Sequence, residues 1–287
     1  MRISDGCYDC LLSRVSYECR LSSEDEELIN TAVNKCTRLL KDICHEDVPY
    51  PTIASRVHRL AYKIMGNSDP YYKLKQQNNQ DAINVCNLVQ NKLNSFYDFV
   101  LASIIGNTLD YGAKEHIVTN DFINFFREEF DKGLTIDHTD EILARSSRVI
   151  YLCDNCGEII FDKLLLSYLK KRGAHITLVV KNSPILNDAT IADALSLKLD
   201  GVSDILTTNT CNIPELGLNL DIIPEVLRDE IDRCSIIFAK GMANYESLTE
   251  YTGRDFPPVA HLLSVKCNPV AKNVGVPKGS RIAMLSE

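Results

Sequence analysis

The chain has 287 residues, 31 Lys and Arg against 39 Asp and Glu for a net charge of −8, and eleven cysteines. At roughly 150 residues per domain this length suggests two domains with real cores. A hydrophobic share of 45% and a charged share of 24% exclude wholesale disorder. An acidic balance without a Lys/Arg run argues against nucleic acid or membrane as the main partner. It leaves a small phosphorylated molecule open, because a bound cation inverts the local charge logic. Residues 1–9 are polar, so no signal peptide is expected, and no apolar run nears the roughly 18 residues of a membrane span. The expected location is cytoplasmic, with the cysteines as reduced thiols rather than a disulfide scaffold.

In chain order, residues 24–44 place Leu28, Ile29, Ala32, Val33, Cys36, Leu39 and Leu40 at helical spacing. Residues 54–64 and 81–94 repeat the pattern, 95–105 form a more apolar helix, and 121–132 a short amphipathic one. Asp69-Pro70 interrupts it and starts a new segment. No strand of convincing period is expected before about residue 147, and the polar stretch 135–147 marks a boundary. A helical domain over 1–146 would then precede an α/β domain over 147–287.

From Arg148 short apolar runs alternate with helices: 149–153 then 158–171, 176–180 then 189–198, and 205–207 then 223–231. Residues 235–239 precede a helix starting near Tyr245, and 262–265 and 281–285 follow. This alternation predicts a Rossmann-like, three-layer α/β domain on a parallel, doubly wound sheet.

Ligands of open α/β sheets bind beyond the carboxyl ends of the strands. After the first run stand Asp154, Asn155, Cys156, Gly157 and Glu158; after the second, Lys181 and Asn182, with Asn187 and Asp188 ahead of the next helix. Thr207–Asn209 follow the third, Lys240-Gly241 and Asn244 the fourth, and Lys266 the fifth. On one shared sheet these clusters meet at one crest. Asp and Asn oxygens suit a hard divalent cation, and lysines beside it suit phosphate oxygens. That combination is the equipment of phosphoryl hydrolysis. Asp154 and Asp188 can equally be helix caps.

Absent patterns narrow the class. No G-x-G-x-x-G follows the first strand, no G-x-x-x-x-G-K-[ST] occurs, and no G-x-S-x-G elbow is present. Cys156 stands where an aspartyl-phosphate enzyme carries a second Asp, which favours direct attack by water over a covalent intermediate.

At these residues the chain resembles the metal-dependent damage-control phosphatases (domain of unknown function 89), especially their archaeal stand-alone branch. The likeness runs through Cys7-Tyr-Asp-Cys10, Asp69-Pro-Tyr71 with Lys75 and Asn78, and Gly106-Asn107 with Asp110. It continues through Asp154-Asn155-Cys-Gly-Glu158, Lys181, Pro184, Asn187-Asp188, Lys240-Gly241, Asn244-Tyr245 and Lys266. The resemblance implies a helical domain packed on a Rossmann-like domain, with a metal (Mn²⁺, Co²⁺, Ni²⁺ or Mg²⁺) held by Asp154, Asn155 and Asp188. It implies phosphate and substrate contacts at Asn244 and Lys266, with Lys181, Lys240 and Asn107 as further candidates. Related branches carry Asp where this chain has Met242. The expected reaction is hydrolysis of a small phosphometabolite by in-line attack of an activated water. Glu158 or Asp110 is the candidate base, and Glu158 can equally be a helix N-terminal residue favoured by the dipole.

Cys7-x-x-Cys10 and Cys153-x-x-Cys156 invite a four-thiolate zinc reading. The second pair brackets Asp154 and Asn155, so zinc there would pull those ligands off a hard cation, and buried thiols are the expected state. Two other classes stay open. An S-adenosylmethionine-dependent methyltransferase wants a glycine-rich turn where only Gly157 stands, and a non-catalytic metabolite-binding protein needs no chemistry at the crest.

Overall fold

Helix α2 (Glu26–Ile43) starts at Asp25, whose carboxylate accepts from the N–H groups of Glu27 and Leu28. It packs with α1 (Cys7–Ser22) and α3 (Tyr50–Met65) around Leu11, Val15, Ile29, Ala32, Leu40 and Val57. Inside this bundle His58 Nδ1 lies 2.9 Å from both carboxylate oxygens of Glu18, pinning α3 to α1. The computed structural model describes residues 1–4, 6–108, 119–251 and 255–287. Helix α1 has no counterpart among the expected elements, because its apolar stripe of Leu11, Val15 and Cys19 is narrow and flanked by polar residues.

The next three helices, α4 (Tyr72–Val89), α5 (Phe96–Thr108) and α6 (Thr119–Lys132), share their apolar core with the sheet instead. Val100, Leu101, Ile104 and Ile105 of α5 are all buried, as a helix packed on several sides requires. Its Gly106 permits the close approach to α8 (Glu158–Lys171), since a Cβ there would sit 2.9 Å from a Phe161 ring carbon and 3.2 Å from the Glu158 Cα.

A short β1 (Ile136–Asp137) and α7 (Thr139–Ala144) lead into β2 (Arg148–Leu152), α8 and β3 (His175–Val180). Then come α9 (Ile191–Ser196), β4 (Ile205–Thr208), α10 (Glu225–Ile231), β5 (Ile236–Lys240) and α11 (Gly241–Leu248). The chain closes with β6 (Val259–Ser264), α12 (Asn268–Val274) and β7 (Arg281–Ser286). Among the described residues, seven strands form one sheet in the order β1-β7-β6-β5-β2-β3-β4. From β2 the chain winds outward through β3 and β4, then returns to β5 and winds the other way, so the topological switch falls between β2 and β5.

The sheet is mostly parallel rather than wholly so: β7 runs antiparallel to β6, with Leu263 opposite Ile282. A strand also precedes residue 147, and its two residues are too few to show a period. Among the described residues no helix is long and apolar enough to cross a membrane.

Buried polar groups inside the sheet set a pH response. His261 of β6 is fully buried, with Nε2 2.9 Å from Ser286 Oγ and its ring edge-on to Tyr245 at 4.9 Å. Burial pushes its pKa down to about 3. The folded state therefore keeps the ring neutral while the unfolded chain takes up a proton near 6.5. Stability from this group is complete above that pH and falls, by up to about 1.4 kcal/mol per unit, as the pH drops from 6.5 toward 3. Urea unfolding at pH 7 and pH 5 should show this loss, and His261→Gln should flatten it; equal slopes for the two proteins would contradict the assignment.

Candidate functional site

Two loops meet at the switch point. Residues 153–157 leave β2, and residues 181–190 leave β3. A single antiparallel bridge pairs Asn155 with Asp188. The Ala189 N–H donates to Asp154 O at 2.8 Å, and the Cys156 N–H to Asn187 O at 2.9 Å. This stitching brings Asp154, Asn155 and Asp188 together, although 33 positions separate the second from the third.

Asp154 is the hub. Asn155 Nδ2 donates to its Oδ2 at 2.7 Å, and Asn107 Nδ2, from the end of α5, donates to the same oxygen at 2.9 Å. Gly241, the first residue of α11, presses against that carboxylate from the other side: at φ +74°, a Cβ there would stand 1.9 Å from Asp154 Oδ2. Only a residue without a side chain lets α11 begin here. Lys266, just past β6, donates through Nζ to Asn107 O.

The carboxylates are under electrostatic stress. Burial raises Asp154 above the ordinary carboxylate range, against the Asn107 amide and the nearby lysines. Burial, with Asp154 beside it, pushes Asp188 up to about 7 despite Lys181. Asp188 Oδ2 has no hydrogen-bond partner, and Lys181 Nζ stands 3.5 Å away. Burial likewise pushes Glu158 up to about 8, against the pull of Lys240 and reinforced by Asp154 and Asp162.

A cavity of about 520 Å³ opens over this crest, walled on one side by α1 and α3 and on the other by α11 and the loop after β6. Five of the expected site residues line it: Asn107, Asp154, Asn155, Asp188 and Lys266. Four others do not. Lys240 is fully buried, with Nζ 2.7 Å from Asp162 Oδ1 and 3.7 Å from Glu158 Oε2. Expected at the substrate, it is instead the counter-ion of a carboxylate one turn further along α8. Glu158 accepts from the Asn155 N–H at 3.0 Å, so it holds the loop rather than facing the cavity. Asn244 Nδ2 ties Cys153 O (3.2 Å) to Lys240 O (2.8 Å), bridging the ends of β2 and β5. Lys181 is buried against Gly217 O at 3.2 Å. Asp110 lies outside the described residues.

Other residues reach the cavity without having been assigned a role: Cys7 and Cys10 from α1, Met242 and Glu246 from α11, and Lys278. The Cys pair was visible as a motif; for Glu246 no spacing signalled burial. Among the described residues no three His, Cys, Asp or Glu side chains converge as a metal cluster. Asp154, Asn155 and Asp188 together offer two carboxylates and one carboxamide as oxygen donors.

Fold and crest together define a class: a mostly parallel α/β sheet under helices, with buried carboxylates, carboxamides and a lysine gathered at its switch point. The family profile of the damage-control phosphatase ARMT1-like domain matches residues 3–282. The chain belongs to that family, the one its motifs resemble. It is 38% identical over 293 residues to a damage-control phosphatase of Archaeoglobus fulgidus, covering 100% of both chains. It is 26% identical to a damage-control phosphatase of Pyrococcus horikoshii, covering 99% of this chain and 98% of that one. The crystal structure of a DUF89 family protein from Pyrococcus horikoshii superposes with a TM-score of 0.91 at 25% identity over the whole of both chains.

Proposed function

We propose that this chain hydrolyses the phosphomonoester of a small metabolite with the help of a divalent cation held by Asp154, Asn155 and Asp188. The observation that carries the reading is Asp188 Oδ2, a buried carboxylate oxygen without a hydrogen-bond donor, bridged to Asn155 and beside Asp154 at the cavity wall. Two crowded carboxylates and an amide are an oxygen donor set that suits Mn²⁺, Mg²⁺, Co²⁺ or Ni²⁺ and not a thiophilic ion. A cation bound there would polarise the phosphoryl group and lower the pKa of a water molecule. The names of the relatives support the phosphatase activity.

The chain's own residues divide the remaining work. Asn107 and Asn155 hold the Asp154 carboxylate from two sides, and Glu158 fixes the loop through the Asn155 N–H. Lys266, which lines the cavity, neutralises phosphoryl oxygens as charge develops on them. Of the two sequence candidates for the base, Glu158 holds the loop through Oε1 while its buried Oε2 has no hydrogen-bond partner, and Asp110 lies outside the described residues. Eleven cysteines read as reduced thiols support a cytoplasmic setting.

Chelation followed by desalting should remove hydrolysis of p-nitrophenyl phosphate, and adding back Mn²⁺, Co²⁺, Ni²⁺ or Mg²⁺ should restore it. Full turnover by the chelated protein would overturn the cation assignment; no turnover with any of these ions would overturn the phosphatase.

A further inference from the structure

Glu246 lies on α11, one turn after Met242 on the same helix face, and both line the cavity that holds Asp154 and Lys266. Its residue is only 8% exposed. Its backbone carbonyl is well occupied, accepting from the Met1 ammonium and from Thr249 Oγ1. Its carboxylate is not. Among the described residues no N–H or O–H donates to it and no basic group stands within ion-pair distance. The Met1 ammonium, the nearest candidate, pairs instead with Glu250 Oε1 at 2.5 Å.

A carboxylate that no protein group pairs with keeps its charge only where its oxygens open onto solvent, here the cavity that Glu246 lines. Burial pushes Glu246 up to about 7, with Asp154 adding to the effect against the Met1 ammonium. Nothing in the packing of α11 needs the group, since Tyr245 and Leu248 supply the buried apolar side chains of the helix. The oxygens therefore await a donor that enters the cavity with the ligand. Lys266 and Lys278 already give that wall positive charge. A cationic leaving group would be repelled by them, whereas a hydroxyl would not.

We propose that Glu246 is a specificity-determining residue whose carboxylate accepts a hydrogen bond from a hydroxyl on the leaving group of the phosphate ester. The inference rests on the phosphomonoester reading. A hydrogen bond to a charged acceptor discriminates, because the analogue without the hydroxyl leaves the carboxylate without that donor.

Three esters of one chain length separate the possibilities: propyl phosphate, glycerol phosphate and aminopropyl phosphate, each assayed with Mn²⁺ on the full chain. The readout is the kcat/KM ratio of glycerol phosphate to propyl phosphate. Wild type should favour the hydroxylated ester by about tenfold or more, and Glu246→Ala should lower that ratio by a similar factor. Glu246→Gln, which keeps the shape and one acceptor, should lower it less, and it carries the comparison if the Ala variant does not fold. A ratio unmoved in both variants overturns the role of Glu246. So does a wild-type preference for aminopropyl phosphate that the substitutions abolish, because the group would then be an ammonium site. Wild type that hydrolyses none of the three esters nor p-nitrophenyl phosphate removes the phosphatase reading and this inference with it. Turnover with an unmoved ratio removes this inference alone.

Discussion

Asp154→Asn should lower kcat/KM for p-nitrophenyl phosphate by at least about a thousandfold, roughly 4 kcal/mol of transition-state stabilisation. The substitution keeps the volume of the side chain, so Gly241 can still begin α11 against it. It removes the charge on which Asn107 and Asn155 converge, at 2.9 and 2.7 Å. Burial already holds that carboxylate above its usual pKa, so the fold itself loses little with the charge. The variant should therefore melt within a few degrees of wild type in the absence of metal. It should also lose the rise in melting temperature that excess Mn²⁺ confers on wild type, because ligand stabilisation follows affinity. Retained hydrolysis, or an undiminished Mn²⁺ shift, would remove Asp154 from the site.

Lys240→Met should cost about 3–5 kcal/mol of stability, the usual penalty for stranding a buried charge. Its ammonium lies 2.7 Å from Asp162 Oδ1, which also accepts from Ser103 Oγ and Tyr151 Oη at 2.7 Å each. Lys240 and Asp162 are both fully buried. Met fills the space of the lysine stem but leaves Asp162 without a cation. Adding Asp162→Asn should restore more than half of the loss, since the carboxamide can still accept from the two hydroxyls. Denaturant midpoints of the two single variants and the double variant measure this directly. A loss below about 1 kcal/mol for Lys240→Met would show that the ion pair does not hold β5 to α8.

The strand–helix alternation was legible because periodicity and turn residues are local properties. Residues 158–171 form the helix their pattern predicts, and the apolar runs from Arg148 onward all became strands of one sheet. The reversal of β7 was not legible, since parallel and antiparallel strands of this length share one hydrophobic pattern. Helix α1 escaped notice because it buries only a narrow stripe.

For the site, the sequence by itself determined which residues stand past the ends of the strands, and Asp154, Asn155, Asp188 and Lys266 do line one cavity; Asn107, from the end of α5, came only with the family resemblance. That succeeds because position along a strand fixes which end of the sheet a residue reaches. It could not determine where a side chain points once there. Lys240 turns inward to Asp162 because α8 presents a carboxylate beneath β5, Glu158 turns back to the Asn155 N–H, and Glu246 lines the cavity. The Lys240 and Glu246 outcomes depend on elements packed from distant parts of the chain, whereas the Glu158 contact spans three residues. Burial and charge pairing are properties of that packing, and only the tertiary structure decides them.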